Sequence, residues 1–110
     1  MRKIEAVIRH EAVEGLRRSL ADEGLPSVSV AEVATFDRRG GRMVRRPRVR
    51  LEMVVQVEDL ERALDLVLRH ARAGGPADGT AFVLPVDEAI RVRTTQRGRE
   101  VVVAHTGLDL

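Results

Sequence analysis

The chain has 110 residues, 44% of them hydrophobic and 33% charged, with a formal net charge of +2. This length predicts one domain, and this composition is that of a globular rather than a disordered protein. The absence of cysteine excludes disulfides, thiolate metal sites and cysteine nucleophiles. The sequence shows no signal peptide and no apolar run near 20 residues, so we expect a soluble, cytoplasmic protein.

The first part of the chain predicts a strand, a helix and a second strand. Residues 3–9 alternate loosely and are rich in β-branched side chains, which favours a strand. In residues 11–23, apolar side chains recur at spacings of three and four, which predicts a helix that ends at Gly24. After Pro26, the stretch "SVSVAEVATF" again predicts a strand.

Residues 37–47, "DRRGGRMVRRP", predict a loop and the most mobile segment, because they hold glycines and a proline and show little periodicity. The next stretch, "RVRLEMVVQV", predicts a strand whose buried face consists of Val49, Leu51, Met53 and Val55. A second helix follows, with acidic residues in its first turn and basic residues in its last. It ends at Gly74, and its apolar stripe consists of Leu60, Ala63, Leu64, Val67, Leu68 and Ala71.

The rest of the chain predicts a central strand, a short last strand and a tail. "TAFVLPV" is apolar on both faces, which is typical of the middle of a sheet, and Pro85 marks its end. "AIRVRT" predicts the last strand, and residues 97–110 form either a further strand or an arm that pairs with a neighbouring subunit. The order β-α-β, loop, β-α-β predicts a ferredoxin-like α+β fold with both helices on one face of the sheet.

Two features near the last strand suggest a phosphate site. In an extended segment, Arg91 and Arg93 emerge on one side while Ile90 and Val92 turn inward, which makes a pair of cations. The preceding "AGGPADG" supplies glycines whose backbone N–H groups can approach an anion closely, and guanidinium groups bind phosphate through paired hydrogen bonds. The alternative, equally compatible with the spacing, is a helix C-cap and turn followed by an exposed edge strand.

Four stretches, "RKIEAVIR", "VAEVATF", "RVRLEMVV" and "ARAGGPADGTAFVLPVDEAIRVRT", resemble the PII nitrogen-regulatory signalling proteins in order and over nearly the whole chain. The resemblance implies a homotrimer that binds adenine nucleotides in the clefts between subunits and regulates a partner such as a transporter or a metabolic enzyme. It also implies a T-loop at residues 37–47, a B-loop at 73–80 and a C-terminal tail at 97–110.

Position by position, the resemblance implies a nucleotide site drawn from several segments. The implied B-loop and phosphate-binding residues are Gly75, Asp78, Gly79, Thr80, Arg91 and Arg93. Residues at the base of the T-loop are Thr35, Phe36 and Arg38, and those around the adenine are Ser29, Glu52 and Val54. For Glu52 the alternative is an ion pair with Arg50 or Arg48, and for Ser29 it is an ordinary strand hydroxyl.

The chain departs from the family in both loops. Gly75 and Thr80 replace B-loop lysines and Ala77 replaces a glycine, so a triphosphate loses charge-assisted contacts each worth roughly 1.5–3 kcal/mol, and we expect a shift toward ADP or AMP. The T-loop is shorter, the chain has no tyrosine to be nucleotidylylated, and Arg39 replaces the glutamine that holds magnesium and 2-oxoglutarate. The pattern is closer to a divergent PII-like branch that senses adenine nucleotides, sometimes with bicarbonate or another small anion.

The basic residues are concentrated in the T-loop region. All 19 except Lys3 are arginine, and seven lie between Arg38 and Arg50. Such a segment can bind a phosphate-rich partner in a salt-sensitive way. However, the chain has no helix-turn-helix, zinc-finger or aromatic RNA motif, and its aromatic residues are limited to Phe36 and Phe82. The sequence alone therefore favours a solvated or protein-docking loop over nucleic-acid binding.

We find no catalytic or metal-binding pattern in the sequence. His10, His70 and His105 are far apart and predict surface or capping roles, and no serine is grouped with a histidine and an acid. We therefore expect neither an enzyme nor a permanent cofactor or metal. Two alternatives to a nucleotide sensor stay open: a ligand-free trimeric scaffold similar to the PII-like metal-tolerance proteins, and a nucleic-acid-binding protein that acts through its arginine-rich loop.

Overall fold

The computed structural model describes residues 1–75 and 78–102. One sheet contains the strands β1 (Arg2–Ile8), β2 (Ser29–Arg39), β3 (Arg42–Val55) and β4 (Thr80–Pro85). Their order is β2-β3-β1-β4, and neighbouring strands are antiparallel. The helices α1 (Val13–Asp22) and α2 (Leu60–Ala71) follow β1 and β3. This arrangement confirms the predicted ferredoxin-like α+β fold.

Both helices pack on one face of the sheet, and the other face is open. On β1, the side chains of Ile4, Ala6 and Ile8 are at most 1% exposed, and they form one core with residues of both helices. The predicted buried face of β3 is confirmed, because its members are at most 2% exposed: Val49, Leu51, Met53 and Val55. Since side chains alternate along a strand, Lys3, Glu5 and Glu52 lie on the open face.

The helices match the sequence prediction except that α2 is rotated and ends at Ala71, three residues before the predicted Gly74. A 3₁₀ turn, His10–Ala12, precedes α1, and Gly24 follows it with a φ of 68°, the left-handed conformation expected there. In α2, Leu66 is 6% exposed although it lies outside the predicted stripe, whereas Leu68 is 36% exposed. The helix packs against both α1 and β1, so its buried face is turned toward Leu66.

Residues 37–47 form a β-hairpin, so the loop prediction is wrong. The chain reverses at Gly40 and Gly41, which have φ values of 55° and 79°, the conformation that two-residue hairpin turns require. Pairing of β1 with β3 ends at Val49, and beyond it β2 and β3 continue as a two-stranded ribbon. We call residues 33–48 the arginine ribbon. Its charged side chains occupy both faces, which removes the hydrophobic alternation by which a strand is recognised.

The position predicted for β4 is also wrong. This strand lies at the edge of the sheet and pairs with β1, from Thr80 opposite Val7 to Pro85 opposite Arg2. Its apolar side chains are exposed, with Phe82 at 55% and Leu84 at 40%. An apolar strand at an edge has the same sequence pattern as a central strand when another surface covers it, which explains the error.

The predicted last strand is reduced to a single bridge. Ile90 pairs with Arg97 in an isolated bridge, and the residues between them turn, with the Arg91 backbone N–H donating to Gln96 O at 2.8 Å. A 3₁₀ helix, Gly98–Val101, follows in place of the predicted extra strand. Residues 103–110, which include His105 and most of the predicted tail, lie outside the described residues, as do Pro76 and Ala77. Among the described residues, no helix is long and apolar enough to cross a membrane.

Candidate functional site

An open cleft of about 460 Å³ lies where the start of β2, the end of β3 and the C-terminal segment meet. It is lined by side chains that include Lys3, Ser29, Glu52, Val54, Ala89 and Val102. Ser29 and Glu52 are direct neighbours in the β2-β3 register, and Val54 follows on the same face of β3. The structure therefore brings together the three residues that the resemblance places around adenine.

Lys3 and Arg50 neutralise the Glu52 carboxylate at the edge of this cleft. Lys3 Nζ lies 3.1 Å from Glu52 Oε2, and Arg50 Nε lies 3.1 Å from Glu52 Oε1. The hydrogen bond to Glu52 raises the pKa of the Lys3 ammonium, against a smaller effect of desolvation. The alternative ion pair with Arg50 is thus present, and Lys3 is a cleft residue that the sequence analysis missed. The sequence did contain a signal for Lys3, because residues two apart on a strand share a face, and this places Lys3 beside Glu5 on one face of the sheet.

The far wall of the cleft is attached to the fold by Gln56. This side chain is 8% exposed, and its Nε2 donates to the backbone carbonyls of Arg99 at 2.9 Å and Val102 at 3.0 Å. The Arg99 guanidinium also makes two hydrogen bonds to the Glu58 carboxylate, at 2.9 and 3.0 Å, and this contact lowers the pKa of Glu58. Sequence spacing contains no signal for these contacts because the partners are more than forty positions apart.

The glycine loop before β4 is closed by its own carboxylate. Asp78 accepts hydrogen bonds from the backbone N–H groups of Ala73 at 2.9 Å, Gly74 at 3.1 Å and Gly75 at 3.4 Å. Desolvation raises the pKa of Asp78, but these N–H groups outweigh it, so its pKa lies below the ordinary value. In the single chain the loop is therefore a self-contained turn after α2, which agrees with the turn in the structural alternative, whereas the C-cap of the helix is Arg72 and not a glycine.

The two arginines expected to form a cation pair are not on a strand. Arg93 lies in a turn, and Ile90 and Val92, expected to turn inward, are 46% and 95% exposed. The Nε of Arg91 is buried and has no hydrogen-bond partner among the described residues, while its Nη2 lies 3.5 Å from the carbonyl of Glu100. The alternation argument for this pair is wrong, because a turn does not alternate its side chains.

Within one chain, the remaining predicted site residues lie far from the cleft. Arg38 pairs with Met43 close to the hairpin turn, not at the base of a loop, and it is about 30 Å along β2 from Ser29 at roughly 3.3 Å per residue. Thr35 and Phe36 precede it on the same ribbon. The loop that contains Gly75, Asp78, Gly79 and Thr80 lies at the opposite edge of the sheet from β2, about 14 Å away at roughly 4.8 Å per strand.

The closure of the glycine loop by Asp78 should depend on pH. Since the pKa of Asp78 is lowered by folding, its stabilising effect is complete above the unfolded-state pKa and is lost as the pH falls through the folded-state pKa. We expect Asp78→Asn to be less stable than the wild type at neutral pH and the difference to shrink in acid, measured by urea unfolding. Gly75→Ala removes no titratable group from this loop and should differ from the wild type by a constant amount. A constant difference for Asp78→Asn would contradict the assignment.

His70 joins the two helices and is half-buried there, rather than fully at the surface or at a cap as predicted. Its Nε2 lies 2.9 Å from Ser19 Oγ, and a methyl group on Gly15 would lie 3.1 Å from its Nδ1, so the imidazole packs closely on α1. Within residues 1–75 and 78–102, no group of three or more histidine and acidic side chains is placed to hold a metal ion. The Ser19–His70 contact therefore has a packing role between the helices.

Comparison with known proteins identifies the family. The family model described as "Nitrogen regulatory protein P-II" matches residues 1–96. The chain belongs to the P-II family. Nitrogen regulatory protein P-II 1 of Methanothermobacter thermautotrophicus is 36% identical over 93% of this chain and 97% of its own length. The P-II protein of Bradyrhizobium diazoefficiens is 33% identical over 93% of this chain and all of its own length.

A solved P-II structure has the same fold. Arabidopsis thaliana PII bound to citrate superposes with a TM-score of 0.80 and 33% identity over 91% of this chain and 90% of the chain in that structure. P-II proteins are signal-transduction proteins, generally not enzymes; they bind small effectors, form oligomers and regulate partner proteins. The chain is therefore a member of a signalling family, and the cleft at Ser29 and Glu52 is its candidate effector site.

Proposed function

We propose that this P-II protein binds an adenine nucleotide in clefts between the subunits of a homotrimer and uses that binding to regulate a partner protein, such as a transporter or a metabolic enzyme. The observation that supports this most directly is the cleft of about 460 Å³ that contains Ser29, Glu52 and Val54 together. Its volume is within the range of roughly 300–1,000 Å³ that is usual for small-ligand sites.

The chemistry of the cleft suits a nucleobase. Val54 and Val102 provide apolar surface for the faces of the ring, and the Glu52 carboxylate can accept a hydrogen bond from an exocyclic amino group. Each Glu52 oxygen is already held by one cation, which fixes its position and leaves lone pairs free for a ligand. Ser29 adds a hydroxyl that can donate or accept. Adenine, with an amino group and a flat apolar face, satisfies these groups.

The phosphates require a second subunit in this proposal. Ser29 lies too far from Arg38 and from the Asp78–Gly79 loop for one nucleotide to touch all of them within one chain. The open sheet face and the exposed apolar side chains of β4 provide a surface on which other copies can pack. A homotrimer built on this face brings the ribbon or glycine loop of one subunit to the cleft of the next.

The B-loop composition sets the expected nucleotide preference. Gly75 and Thr80 are uncharged, so the third phosphate of ATP gains less here than at a site with two lysines. Asp78 adds a second reason, because its carboxylate occupies the N–H groups of residues 73–75 and repels a phosphate placed beside it. ADP or AMP is therefore favoured relative to ATP, and Arg39 disfavours the magnesium complex through which 2-oxoglutarate would bind.

Thermal unfolding in the presence of ligands tests the proposal. A ligand that binds only the folded state at 100 times its Kd adds about 2.7 kcal/mol, which raises the melting temperature by several degrees for a domain of this size. We expect ADP and AMP to produce such shifts, ATP a smaller one and 2-oxoglutarate none. Bicarbonate should be included as a small-anion effector, and protein concentration must be held constant because the oligomer dissociates on unfolding.

Glu52→Gln and Glu5→Gln form a matched pair for this test. Both carboxylates lie on the open face, both contact Lys3, and both side chains are 31% exposed, but only Glu52 lines the cleft. Nucleotide should raise the melting temperature of Glu52→Gln clearly less than that of Glu5→Gln, because the glutamine keeps one acceptor oxygen but loses the charge and the ion pairs that fix it. Equal responses would place the nucleotide elsewhere, and no response of the wild type to any nucleotide would favour the ligand-free scaffold.

A further inference from the structure

The two sides of the arginine ribbon differ in chemistry. Because β3 buries its odd-numbered residues from Val49 to Val55, alternation and the β2-β3 register assign every ribbon residue to one side. The side continuous with the open sheet face, which we call the basic side, contains Val33, Thr35, Asp37, Arg39, Arg42, Val44, Arg46 and Arg48. The other side contains Ala34, Phe36, Arg38, Met43, Arg45 and Pro47.

Like charges face each other at the tip of the basic side. Arg39 and Arg42 are direct register partners on either side of the turn, and both are exposed. Two like charges placed directly opposite destabilise a strand pair. The ribbon has one carboxylate, Asp37, which lies 3.5 Å from Arg46 Nε, and within residues 1–75 and 78–102 neither Arg39 nor Arg42 forms an ion pair. An anion held between the two guanidinium groups removes this repulsion.

The exposed apolar side chains of the ribbon lie on the side opposite the Arg39–Arg42 pair, so the basic side is better suited to phosphate than to an acidic protein. Phe36 and Met43 are each 59% exposed, but they lie on the side opposite Arg39 and Arg42. The core of a protein–protein interface combines aromatic, methionine and arginine side chains, whereas the basic side has only the half-buried valines. Guanidinium groups match phosphate through two parallel hydrogen bonds, which suits a ligand that is charged along its whole length.

The dimensions of the ribbon suit a groove of double-stranded DNA. Seven residues of each strand, 33–39 and 42–48, extend past the end of β1, which is about 23 Å at roughly 3.3 Å per residue. The molecule has a long axis of 51 Å against 25 and 23 Å, in agreement with a projecting element. A two-stranded ribbon is one of the two protein elements that the major groove, about 12 Å wide, admits.

We propose that the basic side of the arginine ribbon binds the phosphate backbone of double-stranded DNA, with the Arg39–Arg42 pair at the tip as its leading contact. The contacts are to phosphates, so binding is independent of base sequence and sensitive to salt. This inference does not rest on nucleotide binding, because its leading contact is the Arg39–Arg42 pair at the tip. Of the ribbon residues implied for the nucleotide site, Phe36 and Arg38 lie on the other side, and Thr35 lies on the basic side four residues before Arg39. The two proposals can fail separately.

Arg42→Gln and Arg45→Gln form the matched pair that tests this inference. Both arginines are exposed, lie three residues apart on β3 and differ in the side of the ribbon that they occupy. Fluorescence anisotropy with a labelled DNA duplex of mixed sequence should be recorded from about 50 to 200 mM salt. In a plot of log binding constant against log salt concentration, Arg42→Gln should reduce the steepness of the slope by about 0.9 for each ribbon that contacts the DNA. It should also weaken binding about eightfold near 0.1 M salt. Arg45→Gln should match the wild type in both respects.

The remaining outcomes are also decisive. Arg42→Gln should melt at the same temperature as the wild type or higher, since it removes a repulsion, so weaker binding cannot be attributed to unfolding. Equal losses in the two variants would show that net charge alone attracts DNA and would overturn the proposal, as would no binding by the wild type at the lowest salt. Poly-glutamate that competes as strongly as DNA, with the same dependence on Arg42, would assign the surface to an acidic protein instead.

Discussion

Gly79→Ala should lower the free energy of unfolding by about 2–6 kcal/mol. A methyl group on Gly79 would lie 2.1 Å from the backbone oxygen of Val7 and 3.2 Å from Ile8 Cα, so the loop and β1 would have to separate. The residue also has a φ of 111°, which side-chain-bearing residues adopt only at a cost of roughly 1–3 kcal/mol. Forced displacement of packed backbone adds a similar amount. The sum is a large part of the 5–15 kcal/mol that is typical of a domain.

Gly75→Ala is the control for this experiment. It makes the same substitution in the same loop, but a methyl group there meets nothing within 4 Å, and its φ is not in the left-handed region. We expect its free energy of unfolding in urea to stay within about 1 kcal/mol of the wild type. If Gly79→Ala were as stable as Gly75→Ala, the close approach of the loop to β1 would be incorrect, and with it the position of the whole segment before β4.

Gly79 shows how structural and functional interpretations of one motif compete. From sequence, "AGGPADG" predicts a phosphate cradle on the strength of its glycines and its resemblance to a B-loop. In the structure, Gly79 is required by the approach to Val7, and Asp78 uses the N–H groups of the preceding residues. Both residues therefore have structural roles that operate without a ligand. Their mutation tests stability first, and the cleft at Glu52 is the cleaner place to test ligand binding.

The elements of the fold that were predicted correctly from the sequence are those with one buried face. The alternation of β3 from Val49 to Val55 and the helical spacing of α2 both arise because one side of the element is buried. The arginine ribbon has no buried side, so its strands leave no pattern in hydrophobicity. Only the Gly40–Gly41 pair indicated a hairpin. When the flanking residues show no alternation of hydrophobic and polar side chains, a two-glycine turn cannot be distinguished from a flexible loop in the sequence.

Cleft residues could be predicted where they share a strand pair and could not where they meet across the fold. Ser29 and Glu52 were assigned through the family resemblance, and antiparallel register then makes them neighbours. Gln56 was missed because its partners are backbone carbonyls of Arg99 and Val102, and backbone groups have no signature in the sequence. Its only sequence signal is a polar residue directly after the apolar run of residues 53–55 that ends β3.

Gln56→Leu should destabilise the protein by about 2–4 kcal/mol and open one wall of the cleft. The substitution keeps the size of the side chain but leaves two carbonyls without their donor, at roughly 1–3 kcal/mol for the buried carbonyl of Val102 and less for the half-buried carbonyl of Arg99. Because Val102 lines the cleft, we also expect a smaller rise in melting temperature with ADP than in the wild type. Urea unfolding at fixed protein concentration measures the first effect, and thermal unfolding with nucleotide measures the second.

Two further variants separate the hydrogen bonds of Gln56 from its packing. Gln56→Glu has the same shape but cannot donate when ionised, and it places negative charge against two carbonyls, so it should be at least as destabilising as Gln56→Leu. Gln96→Leu makes the same change at an exposed glutamine whose Nε2 donates to the Glu100 carboxylate at 2.7 Å, and it should stay within about 0.5 kcal/mol of the wild type. A stable Gln56→Glu variant would show that the side chain is held by packing alone, and that the C-terminal wall of the cleft is fastened by Arg99 and Glu58 instead.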